Sequence, residues 1–158
     1  MERAELPQKV VAVAHLKQPA ASGLLAEQLC AEFAKQTQSV AALVTIDTAA
    51  SAQAAEAIFV RMMEAGARHA KLLRQPEQGA HAVLRNAIAE LADADWIIAW
   101  GNVLPQLFKP TFTIVVTGEH RDLASVDPLV LQAQLEVTAP GPELAMLLAR
   151  RLAGEAEA

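Results

Sequence analysis

The sequence is short of several things, and each shortage excludes a class of protein. There is one cysteine, Cys30, so there is no internal disulfide and no cysteine-cluster metal site. Aromatic residues make up 4% of the chain and tyrosine is absent, so a core has to come from Val, Ile, Leu, Ala and Met. Basic residues are outnumbered, 13 against 18 acidic ones, giving a net charge of −5. That balance argues against a primary nucleic-acid binder, which needs a basic face. No apolar run approaches the roughly 20 residues of a membrane span. The polar opening Met1-Glu2-Arg3-Ala4-Glu5-Leu6-Pro7 has no apolar run of the signal-peptide kind. The expectation is a cytoplasmic chain with neither nucleic acid nor membrane as partner.

What is present is globular. The hydrophobic share is 53% and the charged share 20% over 158 residues, enough for one domain with a real core. Residues 1–8 and 153–158 are expected to fray.

Short β-branched runs alternate with helical stripes. Lys9–Ala14, Ser39–Ile46, Ala70–Leu73, Trp96–Trp100, Thr111–Thr117 and Leu135–Thr138 read as strands. Between them Leu25, Leu29 and Phe33 form one helical stripe, and Ala55, Ile58, Phe59, Met62 and Met63 form a second. Val83, Leu84, Ala87, Ile88 and Leu91 form a third, and Glu143–Leu152 reads as a last helix. Ser22 and Ser51 are placed to cap helices, and Gly66 to end one. Pro105 and Pro110 bound a stretch read as irregular. Alternation of this kind predicts an α/β three-layer sandwich, a mostly parallel sheet with helices on both faces. Lys9–Ala14 should be central.

In such folds ligands bind at the carboxyl ends of strands. The first strand-to-helix connection, His15-Leu16-Lys17-Gln18-Pro19-Ala20-Ala21-Ser22, has the length and setting of a phosphate-binding loop, G-x-x-x-x-G-K-[ST]. Only the hydroxyl of Ser22 survives. Ala20 and Ala21 replace the second glycine and the lysine, and Pro19 removes a backbone donor.

Further features follow in order. Asp47-Thr48 ends the second strand, and Glu64-Ala65-Gly66-Ala67 ends the second helix. Trp100-Gly101-Asn102 ends a later strand, and Leu107-Phe108-Lys109-Pro110 leads into Thr111–Thr117. This order resembles the molybdopterin-guanine dinucleotide biosynthesis protein B family, which lies near the nickel-insertion GTPases. The resemblance spans roughly Lys9 to Leu152. It implies a P-loop-like fold with a nucleotide site drawn from His15, Lys17, Ser22, Gly23, Asp47, Trp100, Gly101 and Asn102.

Several positions depart from that family. Trp100 stands where the family has an acid before glycine. Thr138-Ala139-Pro140-Gly141 stands where a base-reading Asn-Lys-x-Asp is expected. Phosphate, metal and base functions are altered together. The expectation is a non-hydrolysing accessory or regulatory protein near metal-cofactor enzyme maturation, with no catalytic residue, metal or resident cofactor. It would act on a protein partner or a second copy, with the old site narrowed by Trp100 and His15.

The alternative is a binder of a nucleotide or other phosphate compound through Lys17, Ser22 and the helix N-terminus. A third reading is a small enzyme using His15 and Asp47 as an acid/base pair. Plainer roles exist for each residue: a loop histidine for His15, a helix cap for Ser22, a turn residue for Asp47, core aromatics for Trp96 and Trp100, a buried hydrophobe for Cys30. Glu119-His120-Arg121-Asp122 reads as a solvated loop.

Overall fold

A computed structural model describes residues 4–16, 19–36, 38–46, 51–74, 79–118 and 132–157. In chain order the elements are β1 (Ala4–Glu5), β2 (Val10–His15), α1 (Pro19–Lys35), β3 (Val40–Ile46), α2 (Ala52–Ala65), β4 (His69–Arg74) and α3 (Ala80–Glu90). Then follow β5 (Trp96–Trp100), α4 (Val103–Leu107), β6 (Phe108–Lys109), β7 (Phe112–Val116), β8 (Leu135–Val137) and α5 (Pro142–Glu157).

Six strands form one sheet in the order β4-β3-β5-β2-β7-β8, and every pairing in it is parallel. Parallel sheets need both faces covered, so their central strands carry continuous apolar runs. Val10 to Ala14 and Trp96 to Trp100 are such runs, Val40 to Ile46 is broken only by Thr45, and all three stretches are buried. The outer strands differ: β4 is only half-buried, and β8 is three residues long.

Strand alternation divides the core into two layers. Val11 and Val13 of β2, Val40, Ala42 and Val44 of β3, and Trp96, Ile98 and Trp100 of β5 meet α1, α2 and α5 on one face. Val10, Ala12, Ala41, Leu43, Ile97 and Ala99 meet α3 and α4 on the other. The architecture is therefore the α/β three-layer sandwich that the alternation predicts, with β2 inside it. A separate two-stranded parallel pair joins β1 to β6.

Three local readings need correction. Helix α1 starts at Pro19, so Ser22 lies inside its first turn and is not the N-cap. Proline is pre-organised for the first helical position, where its missing N–H costs nothing. The stretch between Pro105 and Pro110 is not irregular but holds α4 and β6, with Pro105 early in its helix, where no intrahelical donor is needed. Helix α5 starts on Pro142 and continues past Leu152 to Glu157. Gly66 ends α2 as expected: at φ +134° it turns the chain, and its N–H reaches the carbonyls of Met62 and Met63.

The topology creates one distinguished place. From β2 the chain crosses through α1 toward β3, while from β5 it leaves through α4 toward β7 on the other side. β2 and β5 are neighbours, and their connections part to opposite faces of the sheet, through α1 on one and α4 on the other. The crevice outside two such strand ends is where α/β folds bind ligands.

Candidate functional site

Four side chains meet in this crevice. His15 closes β2, Ser22 comes from the first turn of α1, and Trp100 and Asn102 come from the end of β5 and the turn after it. The imidazole of His15 stacks on the indole of Trp100, with ring centroids 5.2 Å apart and planes 18° apart. Trp100 donates its Nε1–H to Ser22 Oγ at 2.8 Å. Ser22 Oγ lies 3.0 Å from the Pro19 carbonyl and 3.2 Å from His15 Nδ1.

The hydrogen count decides what Ser22 can still do. A serine hydroxyl has one donor and two acceptor sites. Donation to Pro19 O uses the hydrogen, and Trp100 uses one lone pair. Every group is satisfied when His15 Nδ1 carries the hydrogen and uses the second lone pair. Ser22 is then saturated, and it is fully buried. A Ser–His distance of 3.2 Å is within reach of a nucleophile–base pair. Among the described residues that oxygen is buried, with the Trp100 indole and the His15 imidazole against it.

Asn102 closes the backbone beside it. Its Oδ1 accepts the His15 N–H at 2.9 Å, and its Nδ2 donates to the His15 carbonyl at 2.8 Å. The side-chain amide thus takes the place of one more strand residue beside β2. An anion nest needs successive N–H groups at the strand end turned toward the ligand. The His15 N–H is already committed to Asn102. The next, that of Leu16, bonds the Val116 carbonyl at 3.3 Å.

The glycines of this region serve packing. Gly101, at φ +127°, sits so close to β3 that an added Cβ would overlap Thr45 Oγ1. Its N–H donates to Val13 O at 3.0 Å, continuing the β2–β5 ladder. Thr45 Oγ1 donates to Trp100 O at 3.3 Å, so β3 also fixes the strand end that carries the indole. Gly23 faces α2, where an added Cβ would meet Ile58 Cγ1 and Cδ1 at 2.6 Å.

Of the residues expected at the site, His15, Ser22, Trp100 and Asn102 are in one bonded cluster, Gly101 supports it, and Gly23 belongs to the α1–α2 contact. Lys17 and Asp47 lie outside the described residues, as does the stretch Glu119-His120-Arg121-Asp122. The role of Thr45 was not anticipated. A threonine on a buried strand reads as core, and only the close pass of Gly101 shows its purpose.

Elsewhere the chemistry is spare. Cys30 is buried between α1 and the sheet, and burial, with the negative charge of Glu27 added, pushes its thiol from an ordinary 9.0 up to about 12. It stays protonated and is no nucleophile. Among the described residues no group of three His, Cys, Asp or Glu side chains is arranged to hold a metal ion. No helix among them is long and apolar enough to cross a membrane. No family model, curated protein or solved structure matches the chain.

Proposed function

We propose that this chain is a P-loop-like protein that neither binds nor hydrolyses nucleotide and acts as an accessory or regulatory protein through a protein partner, in the maturation of metal-cofactor enzymes. The observation that carries the first half is the saturated Ser22 hydroxyl. In a working phosphate loop that oxygen faces magnesium. Here it accepts from Trp100 and closes against Pro19 and His15. A phosphate clamp works by placing fixed donors and charges around the transferring group. Among the described residues, the N–H groups of His15 and Leu16 and the side-chain donors of Trp100 and Asn102 are spent internally, and Ala21 stands in the lysine position. The maturation context comes from the order of Asp47-Thr48, Glu64–Ala67, Trp100–Asn102 and Lys109-Pro110 along the chain.

The test restores the loop. Purified protein should release no phosphate from ATP or GTP above background and should gain no thermal stability from either nucleotide with magnesium. The triple variant His15→Gly, Ala20→Gly, Ala21→Lys removes the stacked imidazole and supplies the charge, and it should gain measurable nucleotide affinity. Binding by the unmodified protein, with a stabilisation following RT ln(1 + [L]/Kd), would favour the phosphate-ligand reading instead. For the second half, the protein purified from its native cell should carry a metal-cofactor maturation component at fixed stoichiometry.

A further inference from the structure

The open edge of β4 points to a second copy of this chain: we propose that two molecules pair β4 to β4 in antiparallel fashion, about a two-fold axis at Leu72. The inference rests on the reading of the chain as a binding module and names one partner for it.

The backbone supplies the phase. Trp96 donates its N–H to Ser39 O, so Ser39 turns toward β5 and Val40 turns toward β4. Ala41 is level with His69, Leu43 with Lys71 and Thr45 with Leu73. In a parallel ladder the residues flanking Ala41 then bond His69, and the alternation continues along the strand. His69, Lys71 and Leu73 turn their backbone groups inward to β3, while Ala70, Leu72 and Arg74 turn theirs outward. β4 ends the sheet, and among the described residues no segment pairs with this outer row. The strand has neither proline nor bulge, two common guards of an edge. Its lysine, Lys71, is ion-paired with Glu90 of α3.

The flanks of the edge are apolar. Ile58 of α2 meets Gly23 of α1 and so marks the α1 side of that helix. At about 100° per residue, Phe59 and Met63 lie on the other side of the buried Met62 and Ala55, away from α1 and above the edge. Met63 is 46% exposed. Below the sheet Leu73 is half-buried, and Val83 of α3 beside it is 37% exposed.

A two-fold axis at Leu72 satisfies this pattern. Leu72 pairs with its own copy, and Ala70 pairs with Arg74 of the other molecule, so all three outward residues exchange hydrogen bonds. Lys71 then faces Leu73 and no like charges are directly opposed, which a cross-strand pair requires. Moving the axis to Lys71 would set two lysines face to face. The same axis brings the Phe59–Met63 strip of one molecule against that of the other, as an isologous interface demands.

The experiment is sedimentation equilibrium of the full chain, with two variants. The unmodified protein should be a dimer. Leu72→Pro removes an outward N–H that β3 does not use, a position where an edge strand tolerates proline. It should be monomeric with an unchanged circular dichroism spectrum. Leu72→Cys should form a disulfide-linked dimer under mild oxidation, since paired residues there lie about 5.5 Å apart, within disulfide reach. Cys30, being buried, should not cross-link in the unmodified protein. Should Leu72→Pro fail to fold, the Leu72→Cys cross-link still decides. A monomer at the highest soluble concentration overturns the proposal, as does a dimer in which Leu72→Cys does not cross-link. Neither result touches the nucleotide crevice, so failure here and failure of the closed-site reading are separately visible.

Discussion

Ser22 and Trp100 hold each other in place, and the loss of either should be felt through the other. Ser22→Ala leaves the buried indole N–H of Trp100 without its acceptor, and Trp100→Phe leaves Ser22 without a donor. An unsatisfied buried polar group costs about 1–3 kcal/mol. Each single variant should lose about that much in urea unfolding, and the double variant should lose less than the sum of the two. Additive losses would mean that the bond contributes nothing of its own. Gly101→Ala should cost more than either, because positive φ and the Thr45 hydroxyl both oppose a Cβ.

Cys30 gives a different reading at the same scale. Its thiol is raised to about 12 in the folded chain and titrates near 9.0 in the unfolded one. Between those values the folded state holds the proton and the unfolded state has released it. Stability from this group is therefore complete below about pH 9 and falls as pH rises toward 12. A Cys30→Ala variant should lack that alkaline slope, although it loses packing. Thiol reagents at neutral pH should label Cys30 only at the rate at which the protein opens.

Among the elements, the α1–α2 contact makes the sharpest prediction. Exposed or loosely packed helical glycines gain about 1 kcal/mol on change to alanine. At Gly23 the added Cβ would strike Ile58 at 2.6 Å, so Gly23→Ala should instead destabilise. In an Ile58→Ala background the obstructing atoms are gone, and the same substitution should stabilise. Chemical denaturation of the four proteins in this cycle checks the change of sign. If Gly23→Ala stabilises in both backgrounds, the helices are less closely packed than described.

The elements also show what could be read beforehand. Trp96–Trp100 was delimited to the residue, because a run of five apolar side chains between an acidic turn and Gly101 has the length of a buried strand and is too short for a helix. Gly66 was legible for a similar reason: an apolar stripe stops there and the chain reverses. The start of α1 was misread because Ser22 looks like a cap, while Pro19, the true first residue, looks like part of a loop. Helix α4 was missed because Val103–Leu107 is too short for periodicity to register and contains a proline.

For the whole molecule, strand order decides where chemistry could sit, and strand order is not written locally. The alternation of strands and helices announces a parallel sheet. It does not say that β5 inserts between β3 and β2, which is what brings Trp100 against His15. That Ala20 and Ala21 stand where a phosphate-binding loop has glycine and lysine was visible in the sequence. The commitment of the His15 N–H to Asn102 was not, because the two residues are 87 positions apart. The closed crevice is thus a property of the assembled sheet, to which the end of β2 and the first turn of α1 each contribute one side chain and the end of β5 with the turn after it contributes two.

The central claim, that the crevice is closed and stays closed to nucleotide, is tested most directly by the indole N–H signal of Trp100 in a two-dimensional nuclear magnetic resonance spectrum. The chain has two tryptophans, so Trp100→Phe assigns the signal by its disappearance. With the N–H bonded to a buried serine, it should exchange slowly with solvent. It should neither shift nor exchange faster as ATP, GTP or inorganic phosphate is added with magnesium to millimolar excess. A saturable shift of the Trp100 signal, with faster exchange of its hydrogen, would show that nucleotide displaces the bond to Ser22 and that the site is still in use.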